Sequence, residues 1–375
     1  MQNEFRKMKI AYLTLKGLPL GGGIEKYTEE VGSRLVQRGH QVIAYTMRHY
    51  GTKDGFYKGI IVKTLPSINS RSFQKLSVTF FASLHNVFNN DIEISHYHAI
   101  GPSIFSFIPK IRKKKVIVQA HGIEWKRSKW GFFGKKFLKM SEYSAVKFPD
   151  ILTVVSKVQQ KYFKEKYGVN CIYIPPGTNP PNIRKPDLIK KLGLKGNGYI
   201  FFAARLVREK GTHYLINAYN KLKTDIKLVI AGDAQHEEKY KKELFNLARG
   251  NKNIIFPGFV QGKLKEELFS NSYLFVAPSE IEGLSISVLE AMSYGNCCLV
   301  SNIPENLEAV DKFGYSFKNK DINDLKERLK FLIKYSAKTE EIKEKAKNYV
   351  LKNFSWDLVT DKLETLYLNL IKEKK

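Results

Sequence analysis

Short apolar runs alternate with stretches of helical period through almost the whole chain. The alternation breaks once, at Ile174-Pro175-Pro176-Gly177-Thr178-Asn179-Pro180-Pro181. Proline fixes φ and removes a backbone donor, so this segment reads as a stiff linker between two bodies. Before it, residues 10–14 read as a buried strand. Ile24, Tyr27, Val31 and Leu35 then recur at helical spacing up to Arg38, Gly39-His40 closes that helix, and residues 41–46 return as a strand. Further strands are expected at 93–96, 116–119 and 151–155, with a helix from about 132 to 147 before the last. After the linker, residues 199–203, 227–231, 254–256, 274–277 and 298–301 all look like buried parallel strands. The expectation is α/β: two doubly wound Rossmann-like domains, 1–177 and 178–354, facing across a cleft that binds ligand at the carboxyl ends of the strands. A helix over 355–375, with Leu358, Leu363, Leu366 and Leu370 on its apolar side, is expected to dock back onto the first domain.

Within 178–354, the stretch Pro278-Ser279-Glu280-Ile281-Glu282-Gly283-Leu284-Ser285-Ile286-Ser287-Val288-Leu289-Glu290 puts two carboxylates, Glu282 and Glu290, across a loop-to-helix junction. A helix start attracts anions through its unpaired N–H groups and its dipole. A phosphate there would be flanked by two acids able to accept from sugar hydroxyls. Ser287-Val288-Leu289-Glu290 also fits a capping box, with Gly295 as an ordinary C-terminal cap. Arg205 and Lys210 lie five residues apart in the loop after the strand 199–203. A guanidinium fork and an ammonium there can clamp a diphosphate and neutralise charge on a leaving group. In the first domain His121 follows the strand 116–119 and faces the expected cleft, where it can bond a sugar or acceptor hydroxyl. His96 and His98 end another strand in the same way, His96 reading as a hydrogen-bonded structural histidine.

Several classes are disfavoured. Gly21 and Gly23 are followed at the third-glycine position by Lys26, so the dinucleotide fingerprint of hydride-transfer enzymes is incomplete. What remains at Gly22 and Gly23 is a flexible loop before a helix, able to approach a phosphate. No Asp-x-Asp and no His/Cys/carboxylate cluster of metal-binding spacing occurs, so no metal and no other cofactor is expected. The three cysteines, Cys171, Cys297 and Cys298, suggest a reducing compartment, and no apolar run of about 18 residues or signal-peptide core is present.

These pieces resemble the group 1 retaining glycosyltransferases, the family 4 class of GT-B fold. The matching residues are Gly21-Gly22-Gly23-Ile24-Glu25 with Arg38-Gly39-His40, then Ala204-Arg205-Leu206 with Lys210-Gly211, then Glu282-x7-Glu290 with Ala291-Met292-x-x-Gly295. His121-Gly122-Ile123-Glu124-Trp125-Lys126 and Pro304-Glu305-Asn306-Leu307 further resemble a polysaccharide-assembly, rhamnosyltransferase-like branch. The resemblance implies a nucleotide sugar as donor substrate. Arg205 and Lys210 would bind its diphosphate, assisted by backbone around Gly283, Leu284 and Ser285. Glu282 would hold the sugar, Glu290 the ribose, the Gly22-Gly23 loop would cover the phosphates, and His121 would lie near the transferred sugar. It also implies metal-independent transfer with retention to a lipid-linked or saccharide acceptor, in polysaccharide or glycolipid assembly. Two departures stand out: Ala204, where many relatives have glycine, and Gly232-Asp233-Ala234, where a second glycine is commoner.

The charge bears on partners. With 63 basic against 36 acidic residues, the chain carries a formal +27, and residues 112–139 hold ten Lys/Arg and one acid, Glu124. Trp125, Trp130, Phe132, Phe133 and Phe137 interleave there, which suits an anionic membrane face. A cytoplasmic protein held peripherally at the inner face of the cell membrane is the expectation, with a solvated surface as the plain alternative. A nucleotide-sugar epimerase of the same architecture and a basic nucleic-acid-binding protein are the competing functions. The absence of a recognised nucleic-acid module disfavours the last.

Overall fold

The computed structural model describes residues 6–70, 73–127, 130–234 and 237–372. Lys129 of the basic stretch lies outside the described residues. The chain divides into two compact units, 1–177 with 356–375, and 178–355.

The first unit runs β1 (Lys9–Leu13), α1 (Gly23–Gln37), β2 (Gln41–Met47), β3 (Gly55–Tyr57), β4 (Ile60–Leu65), α2 (Gln74–Phe88) and β5 (Ile94–His98). It continues with α3 (Phe107–Lys110), β6 (Lys115–Ala120), α4 (Phe132–Lys147), β7 (Ile151–Val154), α5 (Lys157–Tyr167) and β8 (Ile172–Tyr173). The sheet order is β3-β4-β2-β1-β5-β6-β7-β8, parallel except for the β3–β4 pair. The order therefore reverses between β1 and β5, the switch point at which doubly wound sheets bind ligands.

The second unit runs β9 (Tyr199–Ala203), α6 (Thr212–Asn220), β10 (Lys227–Ala231), α7 (Glu238–Ala248), β11 (Ile254–Gly258), α8 (Gly262–Ser270) and β12 (Leu274–Ala277). Then come α9 (Ile286–Ser293), β13 (Cys298–Ser301), α10 (Pro304–Val310), β14 (Tyr315–Phe317), α11 (Ile322–Lys334) and α12 (Ser336–Asn353). Its strands are all parallel in the order β11-β10-β9-β12-β13-β14, with the switch point between β9 and β12. Strand alternation feeds two cores: Tyr199 and Phe201 enter one with α9, and Ile200 and Phe202 enter the other with α6. Each such fully buried aromatic or aliphatic side chain stabilises by about 1.5–3 kcal/mol.

The terminal helix α13 (Trp356–Lys372) packs against α1 of the first unit. Its buried stripe is Trp356, Val359, Leu363, Tyr367 and Leu370. Leu358 is exposed and Leu366 half-buried, which corrects the leucine face expected from the sequence. Tyr367 turns the stripe, because its ring fills a buried slot beside His96. Helix α1 ends in a Schellman turn: Gly39 has φ +88, its N–H reaches the Val36 carbonyl, and the His40 N–H reaches that of Leu35. That turn aims Arg38 and His40 at α13. Arg38 meets Glu364 at 2.5 Å and Asp361 at 2.6 Å, and His40 Nε2 lies 2.8 Å from Glu364.

Burial would raise the Glu364 pKa, but His40 and Arg38 outweigh it and hold the carboxyl below its ordinary value. A depressed folded pKa contributes stability above the unfolded value of about 4.3 and loses it as pH falls through the folded value. The acid limb of the melting curve of this unit is therefore expected to flatten below about pH 4.3 in Glu364→Gln. An unchanged limb, measured as Tm against pH, would refute the assignment.

Candidate functional site

In the second unit the candidate residues gather at the carboxyl ends of β9 and β12, the two strands flanking the switch point. After β9 the chain makes a short turn over Arg208–Lys210 and enters α6 at Gly211. After β12 it runs through Pro278 into the loop before α9. Lys210 Nζ meets Glu282 Oε1 at 2.5 Å, and Ser279 Oγ donates to the same oxygen at 2.7 Å. Their side chains are 17% and 9% exposed, so the pair is desolvated enough to matter but still reachable by ligand. The backbone stitches the two loops together, Glu280 N–H donating to the Glu209 carbonyl at 2.8 Å. Glu280 itself accepts from Tyr214 at 2.9 Å and pairs with Lys320 at 2.8 Å. Arg205 is not drawn into the pair: its guanidinium is 43% exposed and lies 3.9 Å from Glu209.

Glu282 lies in the loop and Glu290 in the fifth position of α9. The capping box considered for Ser287 and Glu290 is not formed. The helix starts at Ile286 with Ser285 as N-cap, so Ser287 is already inside it and its hydroxyl lies 3.2 Å from that of Ser285. Neither serine bonds the first-turn N–H groups through its side chain. These groups, with the backbone of Gly283, Leu284 and Ser285 before them, face no acidic side chain of the first turn. Glu290 instead pairs with Lys265 of α8 at 2.6 Å. Gly295 does cap the helix: at φ +77 its N–H reaches the Met292 carbonyl, and the Asn296 N–H that of Ala291. The loop at Gly232 also depends on a close approach, since a Cβ there would meet the Ala204 carbonyl oxygen at 1.8 Å. The Ala234 N–H is satisfied by Asp233 at 2.7 Å.

In the first unit Gly22 is the N-cap of α1 and Gly23 its first residue. The space beside Gly22 is taken by the Glu25 carboxylate, which a Cβ would meet at 2.2 Å and which accepts from the Lys16 N–H at 3.2 Å. A phosphate approaching this loop would have to displace that carboxylate. Glu25 occupies the N3 position of α1, a signal that can be read from the sequence.

His121 follows β6 and is half-buried, its Nε2 lying 3.2 Å from Nδ1 of His98. Burial holds the pKa of His121 and His96 well below the ordinary histidine range, and pushes His98 down to about 3. All three imidazoles are therefore neutral at physiological pH. The loop behind His121 is anchored by Glu142, whose fully buried carboxylate accepts from Trp125 Nε1, Tyr162, Lys166 and Tyr167 at 2.6–2.9 Å.

The basic stretch does not form one surface. Lys114 is buried and donates to the Ile92 carbonyl, and Trp125 is held by Glu142. Phe132 and Phe133, 77% and 83% exposed, face outward with Lys135, Lys136 and Lys139. Phe73, Phe88, Phe107 and Ile111 on the neighbouring α2 and α3 segments are exposed too. No helix among the described residues is long and apolar enough to cross a membrane.

Comparison with known proteins places these features. Residues 184–349 match the family model described as Glycosyl transferases group 1, and residues 21–181 match Glycosyltransferase Family 4. A glycogen synthase of Fusobacterium nucleatum is 26% identical over 54% of this chain and 47% of its own length. The UDP-Gal:alpha-D-GlcNAc-diphosphoundecaprenol alpha-1,3-galactosyltransferase of Escherichia coli is 29% identical over 52% of each chain. The matches thus span about half the length of these two relatives. Among solved structures, a sucrose-phosphate synthase from Thermosynechococcus elongatus has a TM-score of 0.85 at 17% identity, covering 98% of this chain and all of that one. The Anabaena HepE protein in complex with UDP-glucose has a TM-score of 0.80 at 19% identity, covering 96% and 99%. Both family matches are to glycosyltransferases, which leaves the epimerase reading unsupported.

Proposed function

The chain is a group 1 glycosyltransferase with a GT-B fold, and from that premise we propose that it moves a sugar from a nucleotide-sugar donor onto a lipid-linked or saccharide acceptor in cell-surface polysaccharide or glycolipid assembly. The observation that carries this reading is the Lys210–Glu282 pair at the β9/β12 switch point, beside the start of α9. It offers a cation for a diphosphate and a carboxylate for sugar hydroxyls within one small volume. Lys210 and Arg205 bind the diphosphate, with backbone N–H groups around Gly283, Leu284 and Ser285. Glu282 accepts from the donor sugar and Glu290 from the ribose.

Transfer proceeds with retention and without a metal. The bond from the anomeric carbon to the diphosphate oxygen breaks, the acceptor oxygen bonds the same face, and its proton passes to the departing phosphate. Charge on that phosphate is met by Lys210 and Arg205, preorganised before the bond breaks. The E. coli relative, named for an acceptor on diphosphoundecaprenol, supports a lipid-linked acceptor. The exposed aromatic and lysine side chains of α2, α3 and α4 support peripheral attachment to an anionic membrane at its cytoplasmic face.

The test is a thermal-shift screen of UDP-, GDP-, ADP- and dTDP-sugars, followed by transfer of the stabilising sugar onto polyprenyl-diphosphate-linked saccharide in anionic vesicles. A donor at 100 times its Kd is expected to raise Tm of the binding unit by about 5–10 °C. Failure of every nucleotide sugar to stabilise the protein or donate its sugar would overturn the reading.

A further inference from the structure

Within the second unit, α8 and α9 meet in matched register. Lys265 of α8 pairs with Oε1 of Glu290 on α9 at 2.6 Å. One turn further along each helix, Phe269 stacks on Tyr294 with ring centroids 5.4 Å apart. Phe269 is fully buried, so the stack is a fixed point between the helices. Lys265 Nζ also lies 5.8 Å from the centroid of the Phe269 ring, which steadies the ammonium from its own helix.

The acids beside Lys265 on α8 are engaged elsewhere. Glu266 accepts from Arg184 at 2.8 Å and from Asn182 at 3.1 Å. Glu267 is fully buried and accepts from the Asp187 and Ile189 N–H groups at 2.9 and 3.1 Å. Glu290 is the carboxylate left for Lys265, and no hydrogen bond engages its Oε2 among the described residues. A carboxylate offers about four lone-pair positions, so those that Lys265 leaves suffice for two adjacent hydroxyls, one on each oxygen. Both side chains are half-buried, which keeps the carboxylate reachable by ligand. An ion pair this accessible adds little to stability. What it fixes is the rotamer of Glu290, a long side chain that would otherwise have to be ordered at the moment of binding.

We propose that Lys265 is a positioning residue for nucleotide recognition: by holding Oε1 of Glu290 it presets the carboxylate for the two ribose hydroxyls, and so sets selectivity for ribonucleotides over deoxyribonucleotides. Lys265 stays on Glu290 when the nucleotide binds and does not give way to it. This rests on the glycosyltransferase reading above, in which Glu290 meets the ribose.

The experiment measures, by titration calorimetry on the full chain, binding of UDP, GDP and ADP, each against its 2′-deoxy form, and of dTDP against its ribo form. Wild type is expected to prefer the ribonucleotide by about tenfold or more, the worth of one hydrogen bond to a charged group. In Lys265→Met that preference falls to about threefold or less, because the carboxylate is no longer ordered beforehand. Lys265→Arg, which can still pair with Glu290, keeps it. A merely structural role would weaken both forms alike and leave their ratio unmoved. In a Glu290→Gln background Lys265→Met leaves the ratio as it is, since Lys265 acts through Glu290. An unchanged ratio in Lys265→Met overturns the proposal, and so does tighter ribonucleotide binding, which would show that Lys265 competes with the ribose. Equal or tighter binding of the deoxy form by wild type also overturns it, while leaving the nucleotide-sugar donor in place. Failure of every nucleotide to bind would instead refute the functional reading, and the role of Lys265 with it.

Discussion

Lys210→Ala is expected to lower kcat/KM for sugar transfer by about 10²–10³-fold, the effect of removing one preorganised donor from a developing anion. Two consequences of the geometry combine. The departing diphosphate loses a cation held in place beforehand. In addition, Glu282, with a side chain only 9% exposed, loses its closest cation and keeps Ser279 as its hydroxyl donor. A largely buried carboxylate that has lost the Lys210 cation then repels the phosphates it lies beside. Coupling is the decisive readout. Lys210→Ala/Glu282→Gln should be at least as active as Lys210→Ala, because the second change removes the repulsion created by the first. Losses that simply multiply in the double variant would show that the two side chains act independently.

This pairing shows where sequence reasoning stops. Arg205, Lys210, Glu282 and Glu290 were all legible as motif residues, and β9, β10, β12 and β13 begin and end where apolar runs placed them. Strands buried on both faces leave such a signal. The partner of Lys210 was not legible: its contact with Glu282 spans 72 positions and exists because β12 lies beside β9. Sheet order, not local pattern, creates it. The same holds for Lys265 with Glu290 and for His98 with His121. Helix α2 escaped notice for a different reason. Its exposed face carries Phe80, Phe81 and Phe88, so no apolar stripe stands out against a polar one. Strands β3 and β4 were missed because they form the sheet's edge, where exposed Phe56 and half-exposed Lys63 and Thr64 dilute the apolar run.

Gly211→Ala is expected to combine the largest loss of stability with loss of activity. Gly211 has φ +69, in the left-handed region, and a Cβ added there would meet the Pro278 carbonyl oxygen at 1.9 Å and its carbon at 2.8 Å. The obstacle is backbone, so no side-chain rotation relieves it. One of the two loops must move, and these are the loops that carry Lys210 and Glu282. Strain at φ and the enforced shift together cost about 3 kcal/mol or more, which lowers Tm of the second unit by about 6–12 °C. Retreat of the loop by about an ångström separates Lys210 from Glu282, and displacement on that scale costs about 10²-fold in turnover. The two effects separate by measurement: below its transition the variant should be folded by circular dichroism yet still deficient in transfer. Gly250→Ala is the control, since it also has positive φ, +88, but nothing lies within 4 Å of its added Cβ. It should show the strain cost alone and retain transfer. Equal activity losses in both variants would show that backbone strain, rather than the approach of Gly211 to Pro278, disables the site.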